Sequence, residues 1–199
     1  MDLERHARSL PSMGGTEIGP WLRQWASECS TNIVEVGSWL GAGTAQLALG
    51  AQESGASIHV YDKWEANGPE VEKAGRVGLE LHEGQDTLPL VRENLAPFDV
   101  DLTFHKGEIR KATWPGGQIG LYVDDAAKQP RTFRHIVSTF GPHWEDGCVI
   151  VLMDFWFFEK AGFRYRSQQL WAWWNRGRLE RLEDRIAGTT AAAFRVLRR

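Results

Sequence analysis

VEVGSWLGAGT, residues 34–44, sets an acid inside a β-branched run and follows it with Gly37, Gly41 and Gly43 around an aromatic residue. The run NIVEV (Asn32–Val36) is short, apolar and stopped by glycine, which reads as a buried strand. TAQLALGA, beginning at Thr44, reads as the helix after it. Between the two, glycine lets the chain pass close beneath a bound nucleoside with no Cβ in the way. A dinucleotide-binding turn carries G-x-G-x-x-G, so that its second glycine admits a pyrophosphate to the helix N-terminus. Here the pattern is Glu35-x-Gly37-x-x-x-Gly41-x-Gly43. Glu35, near the strand's end, would repel a pyrophosphate but attract the ammonium group of an amino acid as a charge-assisted donor. The spacing therefore favours S-adenosylmethionine over NAD.

Upstream, Ile18, Trp21, Leu22, Trp25 and Cys29 recur at helical spacing, with Thr16 placed to cap them and Pro20 in the first turn, where a missing N–H costs nothing. Downstream the apolar period switches repeatedly. SIHVYD (57–62) reads as a second strand and DTLPLVRENL (86–95) as a helix with Leu88, Val91 and Leu95 on one face. VDLTFH (100–105), IGLYVDD (119–125) and CVIVLMD (148–154) read as strands three to five, with a helical stripe of Phe133, Ile136, Val137 and Phe140 before the last. Such alternation predicts a mostly parallel sheet with helices on both faces. After a helix over QQLWAWWN (168–175), LERLEDRI and AAAFRVLR flank Ala187, Gly188 and Thr189 and read as a closing antiparallel hairpin, which brings the sheet to seven strands.

Size and charge bound the partners. At 199 residues and 42% hydrophobic content the chain suits one domain over 1–199: a helical lead-in (1–31), a cofactor-binding core (32–154) and an acceptor-side loop, helix and hairpin (155–199). A net charge of −3 gives no global basic field for nucleic acid or anionic lipid, so a small-molecule acceptor is the expected partner. Cys29 and Cys148 are too few for a disulfide scaffold or a cysteine-based zinc site, no apolar run reaches a membrane span, and MDLERHARSL lacks an apolar leader core. A cytoplasmic location is expected.

Further acids fall at strand ends, where ligands bind in open α/β sheets. Asp62 ends the second strand about twenty residues after the glycine loop, where a carboxylate can accept both hydroxyls of a ribose. On that reading Asp62→Asn weakens the cofactor and leaves ligand-free stability unchanged. Gly107 and Glu108, after the third strand, stand at the height of an adenine.

IVEVGSWLGAGTAQLA, VYDKW, GEI, LYVDDAAK and CVIVLMDFW together resemble the successive motifs of class I S-adenosylmethionine-dependent methyltransferases, in the small-molecule and sugar O-methyltransferase-like branch. The resemblance runs from about Gly14 to Asp154 and implies a Rossmann-like fold. It implies that Glu35, Gly37, Ser38 and Gly41 embrace the methionine and ribose portions, with Asp62, Lys63 and Trp64 at the ribose and Gly107 and Glu108 near the adenine. It also implies that Asp124 faces the reacting methyl group. In metal-dependent members that acid joins a fifth-strand Asp, here Asp154, and an Asn, replaced here by Phe155. Magnesium is therefore not favoured, and cofactor binding is expected to be metal-independent. Relatives with a His base after the fourth strand have no counterpart here, where Ala126, Ala127 and Lys128 follow Asp125. Asp124, Lys128 and Asp154 are the candidate catalytic groups. The alternatives are a non-catalytic cofactor-binding or partner-binding protein on the same fold and, less favoured, an NAD-dependent oxidoreductase.

The end of the chain has its own character. Phe155, Trp156, Phe157, Phe158, Phe163 and Tyr165 suit the wall of an acceptor pocket or an interface between copies of the chain. Trp171, Trp173 and Trp174 cannot all face one side of a helix. From Lys160 onward ten Lys and Arg stand against Glu180, Glu183 and Asp184, so Arg164, Arg166, Arg176 and Arg178 form a basic end suited to an anion.

Overall fold

The computed structural model describes residues 1–13, 17–157 and 166–197; Thr16, Phe158, Phe163, Arg164 and Tyr165 lie outside them. β1 (Asn32–Val36), β2 (Ser57–Asp62), β3 (Leu102–Lys106), β4 (Ile119–Asp124) and β5 (Trp144–Leu152) are parallel, and β6 (Leu179–Asp184) and β7 (Ala192–Val196) close the sheet. The order is β3-β2-β1-β4-β5-β7-β6, with β7 antiparallel to both neighbours. Chain reversal between β1 and β4 makes their C-terminal ends the point where a crevice opens. The connection from β6 to β7 is longer than the sequence suggests, since Ile186–Gly188 forms a short 3-10 turn with Arg185 and Ala187 at positive φ.

Among the described residues, seven α-helices flank the sheet: α1 (Leu3–Ser9), α2 (Gly19–Glu28), α3 (Ala42–Ser54), α4 (Gly68–Arg76), α5 (Leu88–Leu95), α6 (Pro130–Phe140) and α7 (Ser167–Trp174). α2 and α3 pack closely because Gly50 has no side chain: a Cβ there would lie 2.2 Å from the Arg23 carbonyl oxygen. Alternation along the strands feeds two cores. Ile33, Ile58, Val60, Leu121, Val123, Val149 and Val151 face the α2 and α3 side. Val34, Val36, Tyr61, Tyr122, Ile150 and Leu152 face the α6 and α7 side.

One irregularity interrupts that alternation. The register against β1 shifts between Ile119 and Leu121, so Gly120 is an extra residue on β4. As a result Ile119 and Leu121, two residues apart, enter opposite cores. Gly120 lies where a Cβ would meet Glu145 Oε1 at 2.7 Å, Thr31 Oγ1 at 2.8 Å and Cys29 Sγ at 2.9 Å. β5 starts four residues before its expected position, with Trp144 opposite Ile119 and Gly147 at positive φ inside the strand.

Candidate active site

A cavity of about 880 Å3 opens at the C-terminal ends of β1, β2 and β4. Glu35, Gly37 and Ser38 form its base, Asp62 and Lys63 one side, and Gly107 and Glu108 another. Asp125, Lys128 and Met153 face it from the ends of β4 and β5, and Pro11, Ser12 and Met13 from the N-terminal segment.

The glycine loop is shaped before any ligand arrives. Gly37 and Gly41 take φ of +90° and +88°, conformations that glycine adopts at little cost. Gly41 itself is not part of the wall; it packs towards Leu95 and starts α3. Gly43 makes room for the acid, because a Cβ there would sit 2.6 Å from Glu35 Oε1. Glu35 is buried, and Thr44 Oγ1 donates to its Oε2 at 2.5 Å. Burial pushes the Glu35 carboxyl up to about 8, with Asp125 and Asp62 adding to the effect and the Thr44 bond opposing it.

Asp62 does something that the sequence reading missed. Its Oδ2 accepts the N–H groups of Ser38 and Trp39, and its Oδ1 that of Trp64, each at 2.9 Å. The carboxylate lines the cavity while clamping the loop to the end of β2. Trp64 is not in the wall; it is 1% exposed, at φ +42°, and its Nε1 donates to Ser38 Oγ at 3.1 Å. The expectation that Asp62→Asn spares ligand-free stability is therefore corrected. An amide in place of one oxygen sets N–H against N–H and leaves a buried donor unpaired, at a cost of about 1–3 kcal/mol. Thermal unfolding of ligand-free Asp62→Asn should show a midpoint lower by several degrees. An unchanged midpoint would mean the clamp carries no stability.

Lys63 pairs with Glu70 at 3.6 Å in the same wall, and Glu108 is engaged by Arg110, whose Nε donates at 2.6 Å.

The acids at the ends of β4 and β5 differ in whether they reach the cavity. Asp124 is 1% exposed and absent from the cavity wall; its Oδ1 accepts the N–H groups of Ala126 and Ala127, at 3.0 and 2.9 Å, while its Oδ2 is buried without a partner. Burial pushes it up to about 7. Asp154 also lies outside the wall, paired with Lys128 Nζ at 3.5 Å, and burial raises its carboxyl. Asp125 is the acid that reaches the cavity, and no described residue donates a hydrogen bond to its side chain. Burial, then the charge of Asp154, push it up to about 7, with Lys128 opposing. Among the described residues no three His, Cys, Asp or Glu side chains form a group that could hold a metal ion. Trp171 packs edge-on against Phe133 and Trp144, while Trp173 and Trp174 are exposed. No helix among the described residues is long and apolar enough to cross a membrane.

No curated protein matches the chain. Among solved structures, the O-methyltransferase NovP superposes with a TM-score of 0.68 at 12% identity, covering 98% of this chain and 88% of its own. The TDP-rhamnose 3'-O-methyltransferase CalS11 gives 0.57 at 12%, over 89% and 76%. The S-adenosylhomocysteine-bound methyltransferase PaMTH1 of Podospora anserina gives 0.57 at 12%, over 91% and 78%. These likenesses establish the fold. A family model described as a methyltransferase domain matches residues 34–155, from the middle of β1 to just past β5 and thus through most of the cavity wall. The chain belongs to this methyltransferase family.

Proposed function

We propose that this methyltransferase takes its methyl group from S-adenosylmethionine and places it on a hydroxyl oxygen of a small molecule. The observation that carries the reading is a single cavity with buried Glu35 at its base, Asp62 and Glu108 in its wall, and Asp125, to whose side chain no described residue donates a hydrogen bond, facing it from the end of β4. Glu35 would bind the ammonium group, Asp62 would share its carboxylate between the loop and a ribose hydroxyl, and Glu108 would stand near the adenine. The cradle fits: Gly43 leaves the Glu35 carboxylate space that any side chain would fill. When bound, the cofactor supplies a methyl group made electrophilic by its sulfonium.

The rest falls to the chain's own residues. Alignment of the acceptor oxygen and exclusion of water provide most of what a direct displacement needs. Asp125, raised to about 7, is matched to accepting a hydroxyl proton near neutrality. Lys128, held by Asp154, would offer a donor in the same wall for the acceptor oxygen. Asp124 holds the turn that presents Asp125.

Calorimetry with S-adenosylhomocysteine and with NAD should show binding of the first alone. Incubation with S-adenosylmethionine and a panel of acceptors, read by mass spectrometry, should show the gain of one methyl on an oxygen. Failure of S-adenosylhomocysteine to bind would overturn the cofactor assignment, and a methyl found only on nitrogen would overturn the acceptor class.

A further inference from the structure

We propose that a second groove, between α7 and the β6–β7 edge, binds a planar aromatic anion such as an aryl phosphate or aryl carboxylate. The groove encloses about 430 Å3, enough for one or two fused rings. Phe155, Trp156, Trp173 and Phe194 supply its apolar surface, and Arg166, Arg176 and Arg181 its charge. No described residue of its wall carries a carboxylate.

Two of these guanidiniums are seated on aromatic rings. Arg176 lies 4.6 Å from the centre of the Trp173 ring, and Arg181 lies 5.5 and 5.3 Å from those of Phe155 and Phe194. A guanidinium held over a ring keeps its N–H edge available for the paired oxygens of a phosphate or carboxylate. Existing partners take little of that capacity. Arg176 donates one N–H to the Trp173 carbonyl at 2.8 Å, and Arg181 meets Asp184 at 3.5 Å in an exposed pair that contributes little. Gln169 donates to the Phe155 carbonyl and leaves its own Oε1 buried without a partner in the same wall.

The two cavities have opposite electrostatic preferences. The first is lined by Glu35, Asp62, Glu65, Glu70, Glu108 and Asp125 against three lysines, which suits a cationic ligand. The second has no carboxylate among its described wall residues and holds Arg176 and Arg181, with Asp184 at its rim accepting from Trp156 and meeting Arg181, and so suits an anion. They meet across the end of β5, where Met153 lines the first and Phe155 the second. Because the Phe155 side chain belongs to the α6 and α7 core, the groove is separate from the methyl-transfer cavity and its occupant should not displace the cofactor.

The test titrates phenyl phosphate, inorganic phosphate and phenol into the full chain by calorimetry, with and without saturating S-adenosylhomocysteine. Phenyl phosphate should bind at least about tenfold more tightly than either fragment, because it alone uses both rings and arginines. Arg176→Gln should weaken it by about tenfold and Arg176→Lys should restore only part, since an ammonium lacks the planar fork. Arg181→Gln should act in the same direction, with melting temperature measured alongside because Arg181 also covers Phe155 and Phe194. Equal binding of the three probes, an unaffected Arg176→Gln variant, or competition with S-adenosylhomocysteine would each overturn the proposal.

Discussion

Asp125→Asn is expected to lower kcat by about 10²–10⁴, the range over which a positioned general base acts, while leaving S-adenosylhomocysteine affinity within a few-fold. An amide keeps the volume and polarity of the side chain but cannot take up the acceptor's proton. The wild-type rate should rise with pH through an apparent pKa near or below 7, because burial lifts the free carboxyl to about 7 and a bound cation would draw it down again. The variant should lose that limb of the profile. Asp124→Asn provides the contrast, since its carboxylate accepts two backbone N–H groups and does not reach the cavity. Its main effect should be on thermal stability. If Asp125→Asn keeps its rate and Asp124→Asn abolishes turnover at unchanged stability, the roles of the two acids are reversed.

The second large effect is expected at Glu35. Its carboxyl protonates at about 8 in the folded chain against an ordinary value of 4.5, so the folded state holds an extra proton between those limits. Stability then falls as pH rises: the contribution is complete below about pH 4.5 and is lost as pH passes 8. A shift of this size corresponds to a few kcal/mol, or on the order of 10 °C in melting temperature for a chain of this length. Glu35→Gln should remove that slope, and the difference between the wild-type and variant melting curves from pH 5 to pH 9 isolates it from other titrating groups. Cofactor affinity should run the opposite way, increasing over the same interval as the ionised carboxylate becomes available to an ammonium group. Parallel melting curves for the two proteins would show that Glu35 is not protonated in the empty site.

Much of this architecture was legible because local signals agreed. Ser57–Asp62 is the strand that its β-branched run predicts, and Pro130–Phe140 is the helix that Phe133, Ile136 and Phe140 mark. The glycine spacing and Glu35 located the base of the cavity. α4 escaped notice although Asn67 and Glu70 form a reciprocal capping box at its start, a signal readable as Asn-Gly-Pro-Glu. The clamp role of Asp62 was not legible, because its partners are backbone N–H groups more than twenty residues away as well as a local one. Choosing between Asp124 and Asp125 required knowing which face of β4 each takes, and counting alternate residues forward from Ile119 puts them on the wrong sides.

The reason for that reversal lies at the far end of β4. Gly120, squeezed among Thr31, Glu145 and Cys29, inserts one extra residue and thereby resets the phase of the strand. Had the strand run straight from Ile119, Asp124 would be presented to the cavity and Asp125 to the opposite core. Five residues at about 3.3 Å each separate the bulge from the acid, a lever arm of roughly 16 Å. β4 is flanked by β1 on one side and β5 on the other, so it has no edge along which to slip back. Which of the two acids faces the cavity is thus chosen at the bottom of the sheet, by a residue outside the cavity wall.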